Sequence, residues 1–388
     1  MQATLPAPIR GQIATLPGSK IREVSLVGAS RPDVIALWFG EGDEPTPAFI
    51  REAAKQALDR GETFYAPNSG VPDLRREIAA YMQRLYGRPF ALERVLVSAS
   101  GMNAIMLCMQ VLIGAGDNAV IVEPMWPNAR ETVRILGGEP RAVNLEPGNE
   151  GWRLDFDRLV ASCDERTRLI FVNSPGNPTG WMMRADEQAK LLDFARSRHI
   201  WIVADEVYAR IVYDRPHAPS FLEIAGPDDP VLVVNSFSKA WSMTGWRLGW
   251  ITAPAALSET LANLNEYNVS HPTTFAQYGA LAALREGEPY VQALTARYGR
   301  ARDLVLARLA RFPKVRLVRP DAAFYAFFAI EGMTDSLAWC KAAIASTKVG
   351  LAPGIAFGPS GEGYVRLCYA CSLERLELAL DRLGRFLG

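Results

Sequence analysis

The chain has 388 residues, 49% of them apolar, which suffices for one large or two ordinary domains with a sizeable core. Lysine plus arginine equals aspartate plus glutamate, 42 each, so charge points neither to nucleic acid nor to an anionic membrane surface. No apolar run reaches bilayer-spanning length, the first 20 residues lack the apolar core of a signal peptide, and the five scattered cysteines suit reduced thiols. A cytoplasmic protein that binds neither membrane nor nucleic acid is expected.

Residues 1–45 read as an N-terminal arm and the start of a small domain, 46–285 as a large domain and 286–388 as a C-terminal small domain. The run 37–40 reads as a strand ending in a turn at Gly40, where glycine permits close backbone approach. A helix is predicted over 47–60, capped by Thr46 with proline in its first turn, and a second from GVPDLRREIAAYM. The strand 95–98 leads through Ser100, Gly101 and Met102 into a helix ending near 112. Such a helix start offers free N–H groups to an anion, and it is also an ordinary strand–helix turn. Gly114-Ala-Gly116 imitates a dinucleotide fingerprint, but it follows a helix and precedes a strand, so it is a connecting turn.

The strand 119–122 ends near Trp126, an aromatic that could pack in the core or form a platform. The strand 168–173 runs into the rigid turn Asn177-Pro178-Thr179-Gly180. An amphipathic helix over 187–198 and a strand over 200–204 follow, ending in Asp205-Glu206-Val207-Tyr208. Strands alternate with helices from 95 to 255, which predicts a mostly parallel sheet with helices on both faces. Helices are predicted at 255–267, 275–285 and 289–312, then strands at 315–318, 324–329 and 364–368. Leucines 373, 376, 380, 383 and 387 stripe one face of a last helix. Cys368-Tyr-Ala-Cys371 has no second cysteine pair and the three histidines are scattered, so no metal site is expected.

One stretch carries more chemistry than these. In NSFSKAWSMTGWRLGW, residues 235–250, Lys239 and Arg247 are the only charges, and none other occurs between Pro230 and Ser258. The apolar run 231–234 before it reads as a buried strand, so Lys239 falls just past a strand's carboxyl end, where open α/β sheets place ligands. A lysine among Phe237, Ala240 and Trp241 with no acid beside it has reason to lose its proton. A neutral amine attacks carbonyls and forms a Schiff base. Arg247, with the hydroxyls of Ser236 and Ser238, could hold a phosphate. An aldehyde and a phosphate on one small molecule describe pyridoxal 5'-phosphate.

Ser-x-x-Lys with arginine eight residues later resembles the lysine segment of class I/II aminotransferases of fold-type I, and the likeness covers most of the chain. The resemblance implies an α/β fold: a large domain with a mostly parallel sheet flanked by helices, plus a smaller α+β domain built from both chain ends. It implies pyridoxal 5'-phosphate as cofactor, with Lys239 as the Schiff-base lysine and proton shuttle. Ser100, Gly101 and Met102 would form a phosphate cradle, with a methionine where relatives often carry a polar or basic residue. Trp126 would stack on the pyridine ring, and Asn177 and Tyr208 would bond its ring oxygen. Asp205, 34 residues before Lys239, would keep the ring nitrogen protonated. Gly40 would lie over the substrate, and Arg366 would grip its α-carboxylate through a fork that lysine cannot supply. Tyr65 would reach the cofactor phosphate of a second copy, which implies a homodimer.

The expected activity is transfer of an amino group from an L-amino acid to a 2-oxo acid by a ping-pong cycle. Residues 265–274 contain no lysine or arginine, and neither do 32–50, so a neutral or aromatic donor is favoured over aspartate. A lyase, decarboxylase or synthase on the same fold is an alternative reading, and a non-catalytic sensor module another. Ala322-Ala323-Phe324-Tyr325 departs from the family's Gly-Ala-Phe-Tyr.

Overall fold

Strands that are apolar at consecutive positions can be buried only in a sheet covered on both faces. The structure, a computed structural model describing residues 7–388, is built around such a sheet; the first six residues of the expected arm lie outside the described residues. Its seven strands lie in the order Val95–Ser98, Gly249–Thr252, Val231–Ser236, Trp201–Asp205, Thr167–Asn173, Asn118–Glu123 and Glu139–Asn144. Gly249–Thr252 is antiparallel to both neighbours, and the other pairs are parallel.

Side chains alternate between two cores, as strand geometry requires. Ile170, Ile202 and Val233 join one, while Phe171, Val203 and Leu232 join the other. Helices Pro72–Tyr86 and Ala185–Arg198 cover the first face. Gly101–Leu112 and Asn128–Ile135 cover the second. Truncating a side chain as fully buried as Ile121 to alanine costs about 2–5 kcal/mol.

A second, antiparallel sheet takes Val315–Leu317, Tyr325–Ile330, Tyr364–Cys368 and Ala352–Pro353 in that order. Ile35–Ala36 pairs in parallel with Val349–Gly350 as a separate two-stranded sheet. The helix Leu373–Leu387 buries Leu376, Leu380 and Leu383 of its stripe. The long helix Glu288–Leu309 buries Val291, Leu294, Tyr298, Ala301, Val305 and Leu309.

Two local expectations are corrected. Thr46 does not cap the helix Ala48–Asp59: its hydroxyl donates to the Ser242 carbonyl at 2.6 Å and accepts from Trp246 Nε1 at 2.9 Å. No strand covers the expected 37–40; the strand there is Ile35–Ala36, which ends before it. Beyond it, the Trp38 and Gly40 carbonyls turn to Arg366 and Lys239 instead of a neighbouring strand. The helices Lys20–Gly28 and Ser336–Thr347 were not anticipated.

Candidate active site

Parallel strands end together at one edge of the sheet, and that edge is where the polar residues collect. Asn173 and Asp205 close adjacent strands in register, and Ser236 closes the next. Beside them opens a cavity of about 260 Å³, walled also by Lys239, Tyr208, Trp126, Asn177, Arg247 and Arg366.

Lys239 follows the Val231–Ser236 strand, and its Nζ donates to the Gly40 carbonyl at 2.7 Å. The Tyr208 and Phe324 ring centroids lie 5.6 and 5.9 Å from it. Burial lowers the ammonium to about 8, against an ordinary 10.5. Asp205 faces the same cavity, and its carboxylate accepts from the Val207 N–H at 3.3 Å. Burial pushes it up to about 7. Glu206 is turned elsewhere: it accepts from the Ser220 hydroxyl at 2.6 Å and the Phe221 N–H at 3.0 Å.

One end of the cavity gathers anion donors. The helix Gly101–Leu112 begins here, and its first intrahelical bond runs from Ala104 N to the Ser100 carbonyl at 3.0 Å. The N–H groups of Gly101 and Met102 come before it, at the positive end of the helix dipole. Gly249 lets the antiparallel strand approach this turn, since a Cβ there would stand 2.8 Å from the Gly101 nitrogen. Ser236 Oγ and Ser238 Oγ are 3.0 Å apart. Arg247 is solvent-exposed, in a left-handed backbone conformation at φ 56°, with Nη1 donating to the Thr244 carbonyl at 2.8 Å. Ser100 itself does not wall the cavity, because its hydroxyl accepts from Asn103 N at 3.0 Å and caps the helix.

Arg366 is held from several sides. It is 1% exposed, on the Tyr364–Cys368 strand. Nη1 donates to Asn177 Oδ1 at 2.8 Å, Nη2 donates to the Trp38 carbonyl, and Nε has no partner among the described residues. Its guanidinium carbon lies 4.4 Å from the Tyr325 ring centroid and 4.9 Å from that of Phe357. Asn177 is fixed in turn by its N–H to Asn173 Oδ1 at 2.8 Å, and its carbonyl accepts from Trp126 N at 2.9 Å. A side chain at Gly40 would collide with the Tyr325 hydroxyl. Tyr325 and Tyr208 share a hydrogen bond of 2.7 Å between their hydroxyls.

The cavity therefore brings together Gly40, Gly101, Met102, Trp126, Asn177, Asp205, Tyr208, Ser236, Lys239, Arg247 and Arg366. Tyr65 stands apart, 91% exposed, with its ring edge-on to His271 at 5.5 Å. Sequence reasoning missed Ile21, Phe39, Ile105, Asn173, Val207 and Thr244 as wall residues and placed Tyr325 at the small-domain wall only through the departure of Ala322-Ala323-Phe324-Tyr325 from the family pattern. Asn173 carried a signal, being the last residue of an apolar strand. Ile21 carried a weaker one, two residues after Ser19, whose side chain accepts from Arg22 N.

The arrangement suits attack by an uncharged amine on a carbonyl, beside a carboxylate and a carboxylate-binding arginine. The family model "Aminotransferase class I and II" matches residues 32–383. The aspartate aminotransferase of Pyrococcus abyssi is 36% identical over 376 residues, 95% of each chain. The aromatic-amino-acid aminotransferase 2 of Thermococcus litoralis is 35% identical over 373 residues, also 95% of each. The structure of aspartate aminotransferase from Thermus thermophilus with maleate superposes with a TM-score of 0.92 at 31% identity, covering 98% of this chain and 100% of that one.

Proposed function

The chain belongs to the family of class I and II aminotransferases, and on that premise we propose that it works on pyridoxal 5'-phosphate held in the cavity that Lys239 and Asp205 share. The protein is an aminotransferase, a transferase that moves an amino group between an amino acid and a 2-oxo acid.

The side chains present fit that cofactor. The Gly101 and Met102 N–H groups, the Ser236 and Ser238 hydroxyls and Arg247 form a donor set for a phosphate. Asp205 is a buried acid suited to a ring nitrogen that must keep its proton, and Trp126 offers a flat face. Once bound, the cofactor supplies an aldehyde for the amino group and a ring that takes up the electron pair left at the substrate Cα.

Arg366 binds the α-carboxylate, its fork already squared by Asn177 and the Trp38 carbonyl. Lys239 Nζ takes the proton from Cα, and burial favours this by lowering its ammonium from 10.5 to about 8, within reach of working pH. Tyr208, whose hydroxyl shares a hydrogen bond with that of Tyr325, would donate its proton to the cofactor's ring oxygen. A single Arg366 serves donor and acceptor in turn, so the donor leaves as a 2-oxo acid before the acceptor enters, which makes the cycle ping-pong. A second copy of the chain completes the site. Phe64, Tyr65 and Tyr267 are 81%, 91% and 87% exposed, a set of aromatics that suits a covered face, and Tyr65 is the residue assigned to the partner's phosphate. Five free cysteines suit the cytoplasm, which we assign as the compartment.

The observation that carries this reading is the Lys239 amine, desolvated and without a salt-bridged acid among the described residues, on the same cavity as Asp205 and Arg366. Lys239→Ala is expected to abolish the cofactor's bound-state absorbance and to cut amino transfer by a factor on the order of 10⁴ or more. A Lys239→Ala protein that transaminates at the normal rate ends the proposal.

A further inference from the structure

We propose that this aminotransferase selects amino acids with long uncharged side chains, apolar or aromatic, and lodges that side chain against Ile21, Met102 and Trp126, in front of a second cavity. The inference rests on the reading above, in which Arg366 takes the α-carboxylate and Arg247 the phosphate.

Charge is the first argument. The cations walling the catalytic cavity are Lys239, Arg247 and Arg366, and each has its task. A dicarboxylic amino acid would bring a second carboxylate to a wall on which the described residues of this chain place no further cation, and a buried unpaired carboxylate is strongly disfavoured. The apolar part of that wall is formed by Ile21, Phe39, Ile105, Met102 and Trp126. Met102 is fixed across it by Asn128 Nδ2, which donates to its sulfur at 3.2 Å.

Space is the second argument. Ile21, Met102 and Trp126 also wall a neighbouring cavity of about 530 Å³, whose other apolar walls include Met106, Met125, Ile355 and Phe357. Methionine walls adapt to side chains of differing shape. The cations bordering this second cavity are already matched. Arg130 pairs with Glu123, Arg134 with Glu131 at 3.1 Å, and Lys20 with Glu23 at 2.9 Å. Glu123 Oε2 and Glu131 Oε2 have no partner among the described residues, so an entering anion would meet unsatisfied carboxylate oxygens and no free cation. An uncharged side chain meets neither obstacle.

Unreactive carboxylates separate side-chain preference from chemistry. Binding of 3-phenylpropionate, 4-methylpentanoate, propionate, succinate and maleate to the cofactor-loaded enzyme would be measured by calorimetry. The two bulky monocarboxylates should bind at least about tenfold more tightly than succinate or maleate. Met106→Trp, which fills the second cavity, should weaken 3-phenylpropionate about tenfold and leave propionate unchanged. Ile355→Phe gives the same test should Met106→Trp fail to fold, as judged by its cofactor absorbance. Succinate or maleate binding as tightly as 3-phenylpropionate overturns the proposal, and so does loss of propionate along with 3-phenylpropionate in both variants. If none of the carboxylates binds and no amino acid reacts, the assignment of Arg366 falls as well. If amino acids react but aspartate outcompetes phenylalanine, the assignment of the site stands and only the side-chain proposal is lost.

Discussion

Arg247 and Arg366 wall the same cavity and are held in different ways. Arg366 is buried, with partners from Asn177, Trp38 and Tyr325, the farthest 328 positions away in the chain. Arg247 is exposed and, among the described residues, bonded only to a carbonyl three residues back. On the proposed reading, the substrate end is ordered by the fold itself, whereas the phosphate end would gain its order from the anion bound there. Preorganisation of the first kind supports catalysis because no reorganisation is needed when substrate arrives. The second kind couples cofactor binding to local order.

Removing Arg366 should have the larger effect. Arg366→Ala deletes the proposed carboxylate fork and leaves Asn177 Oδ1 and the Trp38 carbonyl without their guanidinium donor. We expect kcat/KM to fall on the order of 10³-fold, about 4 kcal/mol of lost transition-state binding, and stability to fall by about 2–4 kcal/mol in denaturant titration. Arg366→Lys should restore little, since one ammonium cannot span both partners and the substrate. Arg247→Ala should reverse the pattern. Cofactor dissociation should rise about 10- to 100-fold, in line with a hydrogen bond to a charged group, while the cofactor-free protein keeps its stability within about 0.5 kcal/mol. If the two variants behave alike, the contrast between the two ends is wrong.

The same contrast explains what could be read from the residues. Lys239, Asp205 and Asn177 are local signals: each follows an apolar run that must be a strand, and a residue past the end of a parallel strand faces the ligand edge. The partners of Arg366 are long-range. The Trp38 carbonyl carries no side-chain signature, and Tyr325 looks like one more aromatic in an apolar strand. Ser100 has the right residue type at the right turn, yet its hydroxyl is committed to the helix N-terminus. The helix Ser336–Thr347 was illegible because apolar residues occur all round it and leave no single stripe.

Lys239 lies between the two ends and gives a pH test of how far the fold alone has prepared the site. Its ammonium is lowered from 10.5 to about 8. Below about 8 it is charged both folded and unfolded, and its burial cost is in full force. Between about 8 and 10.5 the folded state binds fewer protons than the unfolded one, so this group's contribution to stability improves as pH rises through that window. At pH 7 about a tenth of the amine is neutral, against a few parts in ten thousand for an ordinary lysine. The rate at which cofactor-free protein combines with pyridoxal 5'-phosphate should therefore climb about tenfold per pH unit and level off near 8. A plateau only above pH 10 would mean that the pocket does not desolvate the amine.

The smallest effect expected is at Tyr325, which touches both the substrate end and the ring side of the cavity. Its ring lies on Arg366 at 4.4 Å, and its hydroxyl meets that of Tyr208 at 2.7 Å. Two phenols sharing one hydrogen bond leave one proton to be directed elsewhere. If Tyr208 gives its proton to the cofactor's ring oxygen, Tyr325 must be the donor between them, and that donation makes Tyr208 the stronger acid. Tyr325→Phe keeps the ring over Arg366 and removes only the donor. We expect kcat to fall about 3- to 10-fold, roughly 1 kcal/mol, with KM for the amino donor within about twofold because the carboxylate fork is untouched. The pH midpoint of the cofactor's absorbance change should rise by about half a unit, since a weaker donor at Tyr208 stabilises the ring oxygen's anion less. A purely packing role for Tyr325 predicts no movement of that midpoint. A rise in KM without it would mean that the residue acts through Arg366 instead.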